Sequence, residues 1–307
     1  MRNSKIARIV VSALLSAVLI FLLTACRIQD IGFDIDESEQ LPIDGINTLI
    51  VDFKSGDIEF VEADAARVEL KGKSFSFVDE APYLKVSESN GNLTAEFDSI
   101  MNSIVKMTVY LPKENMFNLK IISTSGNIKI HDMAFENIDI LSTSGNSYID
   151  GCSGKNLDID LTSGNTNVSN VDFKDIQING TSGNIDVLTT QANLNVEILS
   201  GSVDINDVSG SLDIQGSSGR IDVDLANKDI KPINIRLSSG DVRLTLDAET
   251  KFNLDAQASS GNVATDFEVT IKGNSTSDDN SIVGKCNGGG SLVKLQVTSG
   301  DINVLEK

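Results

Sequence analysis

Leu157-Asp158-Ile159-Asp160-Leu161-Thr162-Ser163-Gly164-Asn165 alternates apolar and polar side chains and then closes on Ser-Gly-Asn. Alternation with a period of two marks a strand with one face inward and one in water. The closing residues suit a tight corner: glycine reaches positive φ at little steric cost, and Ser and Asn bond neighbouring backbone groups. The same cadence recurs at Gly126, Gly145, Gly164, Gly183, Gly201, Gly219, Gly240 and Gly261, in steps of 19, 19, 19, 18, 18, 21 and 21 residues. A step of 39 then leads to Gly300. A period near 20 residues identifies a stacked repeat, each repeat being one turn of a solenoid that rests on its neighbours.

Columns appear when the repeats are aligned on the glycine. Leu119, Ile138, Leu157 and Ile176 stand seven residues before it, Ile121, Ile140, Ile159 and Ile178 five before, and Ile130, Ile149, Val168 and Val187 four after. One repeat has two short apolar faces and no core of its own, so burial becomes continuous only on stacking. The expected fold is all-β, a parallel β-solenoid (β-helix) of about 19-residue rungs with a divergent N-terminal capping section. Roughly ten regular turns would form a rod about 45 Å long at about 4.8 Å per turn. The corner residues Ser125, Gly126, Asn127, Ser144, Gly145, Asn146, Ser163, Gly164, Asn165, Ser182, Gly183 and Asn184 are read as structural turns whose asparagines stack from rung to rung.

Four segments follow from this metre. Residues 1–25 form a targeting signal, with Arg2, Lys5 and Arg8 ahead of an apolar run of 15 residues, Ile9 through Leu23. That run is short for a bilayer span of about 20 residues. It stops at Leu23-Thr24-Ala25-Cys26, which resembles a bacterial lipobox. On this reading Cys26 accepts a diacylglycerol and anchors the mature chain, as two or three acyl chains can. An ordinary secretory signal with a chance cysteine is the alternative. Residues 26–45 read as an acidic tether. Residues 46–118 read as a divergent N-terminal section in which Gly56, Gly91 and Gly126 stand 35 residues apart. Residues 119–307 read as the regular array, with an insertion at 272–290 rich in Gly, Ser, Asn and Asp, a loop or a degenerate rung. The last rung, around Gly300, is expected to finish an open edge, with Lys294, Glu306 and Lys307 discouraging end-to-end pairing.

The whole chain carries a formal charge of −19; without the three cations of the signal it has 22 Lys plus Arg against 44 Asp plus Glu, a net of −22. Such a surface repels polyanions, so nucleic acid is not an expected partner. Cys152 and Cys286 lie several turns apart, beyond the roughly 7 Å reach of a disulfide, and are expected to be unpaired.

The repeated Thr124-Ser125-Gly126-Asn127-Ile128, the Val109-Tyr110-Leu111-Pro112 segment and the ending Gly288-Gly289-Gly290 with Thr298-Ser299-Gly300-Asp301-Ile302 resemble the putative adhesin family of bacterial surface proteins, formerly a domain of unknown function. The resemblance covers residues 46–304. It implies the β-strand repeat architecture and a surface role, and it implies no catalytic residues. Some members are similar to membrane proteins of envelope-stress operons, which implies a regulatory alternative.

Catalytic chemistry finds little material. His131 is the only histidine and stands beside Asp132 in a corner. One histidine and two scattered cysteines do not make the usual zinc sets. A glycan-cleaving site would need clustered carboxylates on one face, whereas Asp158, Asp160, Asp186, Asp204, Asp213, Asp222 and Asp224 alternate along strands as a solvated face does. No cofactor and no metal site is expected. The expected protein is a monomer outside the cytoplasmic membrane, with a Gram-positive surface favoured, anchored to the membrane through lipid on Cys26. Its ligand is an unidentified protein or glycan.

Overall fold

The computed structural model describes residues 33–75, 82–97, 103–271 and 277–307; the signal segment and Cys26 lie outside the described residues. Among the described residues every regular element is a strand. The N-terminal section holds β1 (Phe33–Gln40), β2 (Thr48–Ser55), β3 (Asp57–Glu62), β4 (Arg67–Ser74), β5 (Leu84–Ser89), β6 (Asn92–Phe97) and β7 (Ser103–Leu111). The middle holds β8 (Asn118–Ser125), β9 (Ile128–His131), β10 (Asn137–Ser144), β11 (Ser147–Asp150), β12 (Ser153–Ser163), β13 (Thr166–Thr190), β14 (Asn193–Val208), β15 (Leu212–Leu225) and β16 (Ile233–Leu246). The C-terminal section holds β17 (Phe252–Ser260), β18 (Val263–Thr265), β19 (Val269–Thr270), β20 (Ser277–Asp278), β21 (Ser281–Cys286), β22 (Ser291–Ser299) and β23 (Ile302–Glu306).

The strands form one open, solenoid-like sheet whose middle pairs in parallel. Ile138 lies opposite Leu119 on one side and Leu157 on the other, and Leu157 lies opposite Ile176. The period-two pattern thus places like on like: Leu119, Ile138, Leu157, Ile121, Ile140 and Ile159 are all fully buried. Removal of this apolar surface from water, at about 25 cal/mol per Å², is the main stabilising contribution. The middle is filled mainly by aliphatic side chains, with Phe117 meeting Phe135 edge-on at 6.0 Å and Phe173 buried, and further ring pairs stand near the ends. Phe53 and Phe97 pack 5.2 Å apart near the N-terminal end, and Phe252 meets Phe267 edge-on at 5.0 Å near the other.

Both ends depart from the sequence reading. Asn90-Gly91 is a hairpin turn: both residues have positive φ, 53° and 77°, and β5 pairs antiparallel with β6. Positive φ at both central positions matches the twist of antiparallel strands, so Gly91 does not belong to the corner column. The stack order also differs from chain order. β2 and β3 pair in parallel with β8 and β9 on one side and with β6 and β7 on the other, so the rung β6–β7 lies outside the rung that precedes it in sequence.

The far end repeats the exchange. Val293 of β22 faces Ile233 of β16 on one side and Leu254 of β17 on the other. The Gly300 rung is therefore penultimate, inserted between the Gly240 and Gly261 rungs, and the expectation that it finishes the edge is corrected. Antiparallel strands close both ends: β21 covers β17, while β4 covers β7 and β5 covers β6. The outermost strands at the N-terminal end are then β1 and β5, each paired on one side, and short, charge-rich edge strands limit pairing with other chains. The insertion at 272–290 accordingly carries a capping strand, β21, rather than a loop or a degenerate rung.

Within the segment read as an acidic tether, Phe33–Gln40 is a strand. From Phe33 the chain is β1, antiparallel to β4, with Ile35 and Leu41 buried. Its aspartates meet the lysines of β4, Asp34 with Lys73 at 3.6 Å and Asp36 with Lys71 at 3.9 Å. Backbone pairing with β4 and burial of Ile35 and Leu41 thus dock an acidic segment that composition alone assigns to a linker, while the exposed ion pairs add little. Glu37 accepts hydrogen bonds from the amides of Tyr83 and Leu84, at 3.0 and 2.7 Å, which ties β1 to β5.

Candidate functional site

The corner residues make a ladder. Asn127 accepts at Oδ1 from the Asn146 backbone at 3.3 Å and side chain at 3.0 Å, Asn146 accepts from the Asn165 amide at 3.0 Å, and Asn165 from the Asn184 amide at 3.1 Å. The series is extended at both ends by Asp57 beneath Asn127 and Ser202 above Asn184. Ser144, Ser163 and Ser182 donate through Oγ to the carbonyls of Thr124, Thr143 and Thr162 at 3.1 to 3.4 Å, and Ser125 pairs with Ser144 in the strand register. Gly126, Gly145, Gly164 and Gly183 all have positive φ. A Cβ on Gly183 would stand 1.7 Å from the Gly164 carbonyl oxygen. These residues hold the rungs at van der Waals contact and present no ligand-binding chemistry of their own.

A groove runs beside this column. It is lined by residues two to four positions before each corner glycine, from Ile122-Ser123-Thr124 through Gln296-Val297-Thr298, with a volume of about 1100 Å³. Its origin is local. The pairing of β10 with β12 skips Thr143 and Thr162, running Ser142 to Leu161 and then Ser144 to Ser163, and β12 with β13 repeats the break. The strand bends there, and side chains on either side of the bend form two walls. The position between them points inward: Leu161, Ile198 and Leu237 are buried. Gly180 and Gly216 keep the floor low at two rungs.

One wall is a row of hydroxyls, Thr124, Thr143, Thr162, Thr181, Ser217 and Ser238, broken by Leu199, which is 56 % exposed. The other begins apolar at Ile122 and Leu141 and continues as Asp160, Asn179, Glu197, Gln215, Arg236 and Gln257. Asn179 donates through Nδ2 to Asp160 at 2.7 Å, while its Oδ1 has no donor. Sequence reasoning missed this groove because polar residues at period two look like a solvated face. The signal was present: the position two before the glycine is almost invariably Thr or Ser from repeat to repeat.

Elsewhere the carboxylates are spread out. Asp186, Asp204 and Asp222 stack opposite one another. Burial, then the Asp204 charge, raises the Asp186 pKa above the ordinary carboxylate value. Burial, then Asp139 and Asp160, raises that of Asp158. The Ser169 and Asn170 side chains lower that of Asp150. Arg220 and Arg243 partly neutralise the row, 3.7 Å from Asp204 and 3.4 Å from Asp222. Among the described residues no group of three or more His, Cys, Asp or Glu could hold a metal ion. His131 is an exposed residue at the end of β9. Cys152 and Cys286 are buried, unpaired thiols, each pushed up to about 11 mainly by burial.

The repeat metre, the parallel register and the corner ladder agree with a family match over residues 46–305. The chain belongs to the Toastrack DUF4097 family. Toastrack DUF4097 thus covers both capped ends and the groove between them. No curated protein matches the chain. Among solved structures, a putative adhesin from Parabacteroides distasonis ATCC 8503 is 14 % identical with a TM-score of 0.46, over 89 % of this chain and 97 % of that one. A putative adhesin from Bacteroides fragilis NCTC 9343 is 12 % identical with a TM-score of 0.43, over 88 % and 96 %. A putative lipid binding protein from Parabacteroides distasonis ATCC 8503 is 18 % identical with a TM-score of 0.43, over 89 % and 98 %. No helix among the described residues is long and apolar enough to cross a membrane.

Proposed function

We propose that this chain is a non-enzymatic, adhesin-like binding module of the bacterial cell envelope, anchored through lipid on Cys26 and standing on the outer side of the cytoplasmic membrane. The observation that carries the reading is the groove of about 1100 Å³, continuous across many rungs. A surface that repeats the same side-chain types at strand spacing suits many weak, equivalent contacts with an extended partner, not one reaction at one point. The stack itself is read as a parallel β-helix of about 19-residue rungs with one protomer as the working unit.

Localisation and binding are tested together on intact cells. Protease added outside should clip the chain, and cells lacking it should lose adherence to neighbouring or host cells. Protection from protease, with crosslinking to a membrane sensor, would contradict the reading in favour of the envelope-stress regulator. Turnover of a cell-wall glycan by the purified protein would contradict both.

A further inference from the structure

We propose that the groove binds a linear, uncharged polysaccharide lying lengthwise along the stack, close to one sugar residue per rung. The inference rests on the adhesin-like reading and names the ligand class of that same site.

Dimensions come first. The lining spans nine rungs, from Thr124 to Ser259 by way of Thr298, or about 40 Å at about 4.8 Å per rung. An extended chain of pyranose rings advances by nearly the same distance per residue, so one ring can lie at each rung, with equivalent sugar groups recurring at every second rung in chains whose successive rings are turned over. Side-chain chemistry agrees. Thr162, Thr181, Ser217 and Ser238 line one wall, and their hydroxyls are both donors and acceptors. The facing Gln215 and Gln257 amides offer the same pair of functions. Leu199, 56 % exposed in the middle of the hydroxyl row, offers an apolar contact for the CH face of a ring.

Other ligand classes fit less well. Asp160, Glu197 and Arg236 are the charged residues of the lining, so the groove is almost neutral on a chain of net charge −19. A polyanion is repelled by the molecule as a whole, and a polycation would prefer the stacked aspartates on the other strand. A peptide strand needs a free sheet edge, whereas β12 is paired on both sides, with β10 and β13. A helix needs a continuous apolar stripe; here Leu161 and Leu237 are buried beneath the walls.

The test is calorimetric titration of the full-length protein in detergent micelles with cellohexaose, chitohexaose and mannohexaose, and with hexagalacturonate as the charged control. At least one neutral hexaose should bind, its trimer more weakly, and hexagalacturonate not at all. The Gln215→Ala/Gln257→Ala double variant should weaken binding by about tenfold or more, and Thr181→Trp should abolish it. All three sites are on the surface walls, so melting curves should match the parent; if Thr181→Trp fails to fold, the double variant alone decides. No binding of any neutral hexaose, or binding unchanged in the double variant, overturns the proposal. If adherence of intact cells still depends on the protein in that case, only the glycan assignment fails; if adherence is also absent, the adhesin-like reading fails with it.

Discussion

At the residue scale the corner glycine is constrained twice, by conformation and by space. Gly183 has φ of 129°, and a Cβ there would overlap the carbonyl of the rung before it. Gly45 has φ of 77° with nothing near its missing side chain. Gly183→Ala should therefore cost at least about 2 kcal/mol, and Gly45→Ala less, in parallel denaturant titrations. The stacked aspartates act with the opposite sign. Because the folded pKa of Asp186 is raised, its ionisation weakens the fold as pH climbs from the ordinary aspartate value through the folded one, and the penalty is complete above the folded value. Asp186→Asn should stabilise the protein at pH 7 by about 0.2–1 kcal/mol, the range for cross-strand pairs. Thermal melts should show the gain fading below the ordinary aspartate value. The buried thiols follow from desolvation: with both near 11, an aromatic disulfide reagent at pH 7.5 should label Cys152 and Cys286 only after denaturation.

At the element scale the regular strands were legible in the sequence and the caps were not. Period-two alternation identified β8 to β16 because each has one face in the core, and a one-residue slip would turn that face outward. The caps follow other physics. β1 is docked by its antiparallel register with β4, by burial of Ile35 and by Glu37, long-range pairings that no local pattern encodes. Asn90-Gly91 reads as a corner or a hairpin according to which strand lies opposite, a long-range fact. The groove was half legible: its Thr and Ser row is visible in an alignment of repeats, but the bend that makes the row a wall depends on skipped pairings at Thr143 and Thr162. Removal of residues 291–307 tests the exchanged rung as a unit. It would leave β16 and β17 without their shared partner, so the truncated chain should lose cooperative melting and aggregate, as an uncovered edge does.

At the scale of the whole molecule, the two ends share one solution. At each end the outermost rung is out of sequence order and antiparallel strands lie over its edge. The C-terminal exchange bears directly on function, because Gln296, Val297 and Thr298 continue the groove between the Gly240 and Gly261 rungs. Lys307 then reaches back to pair with Asp224. The binding surface is continuous only if the last segment of chain is built into the stack. Interstrand nuclear Overhauser contacts in the deuterated protein read this order directly, since neighbouring strands lie about 4.8 Å apart and next neighbours about twice that. Val297 should show contacts to both Leu237 and Ala258, with none between Leu237 and Ala258. Direct contact between Leu237 and Ala258, with Val297 outside them, would contradict the account.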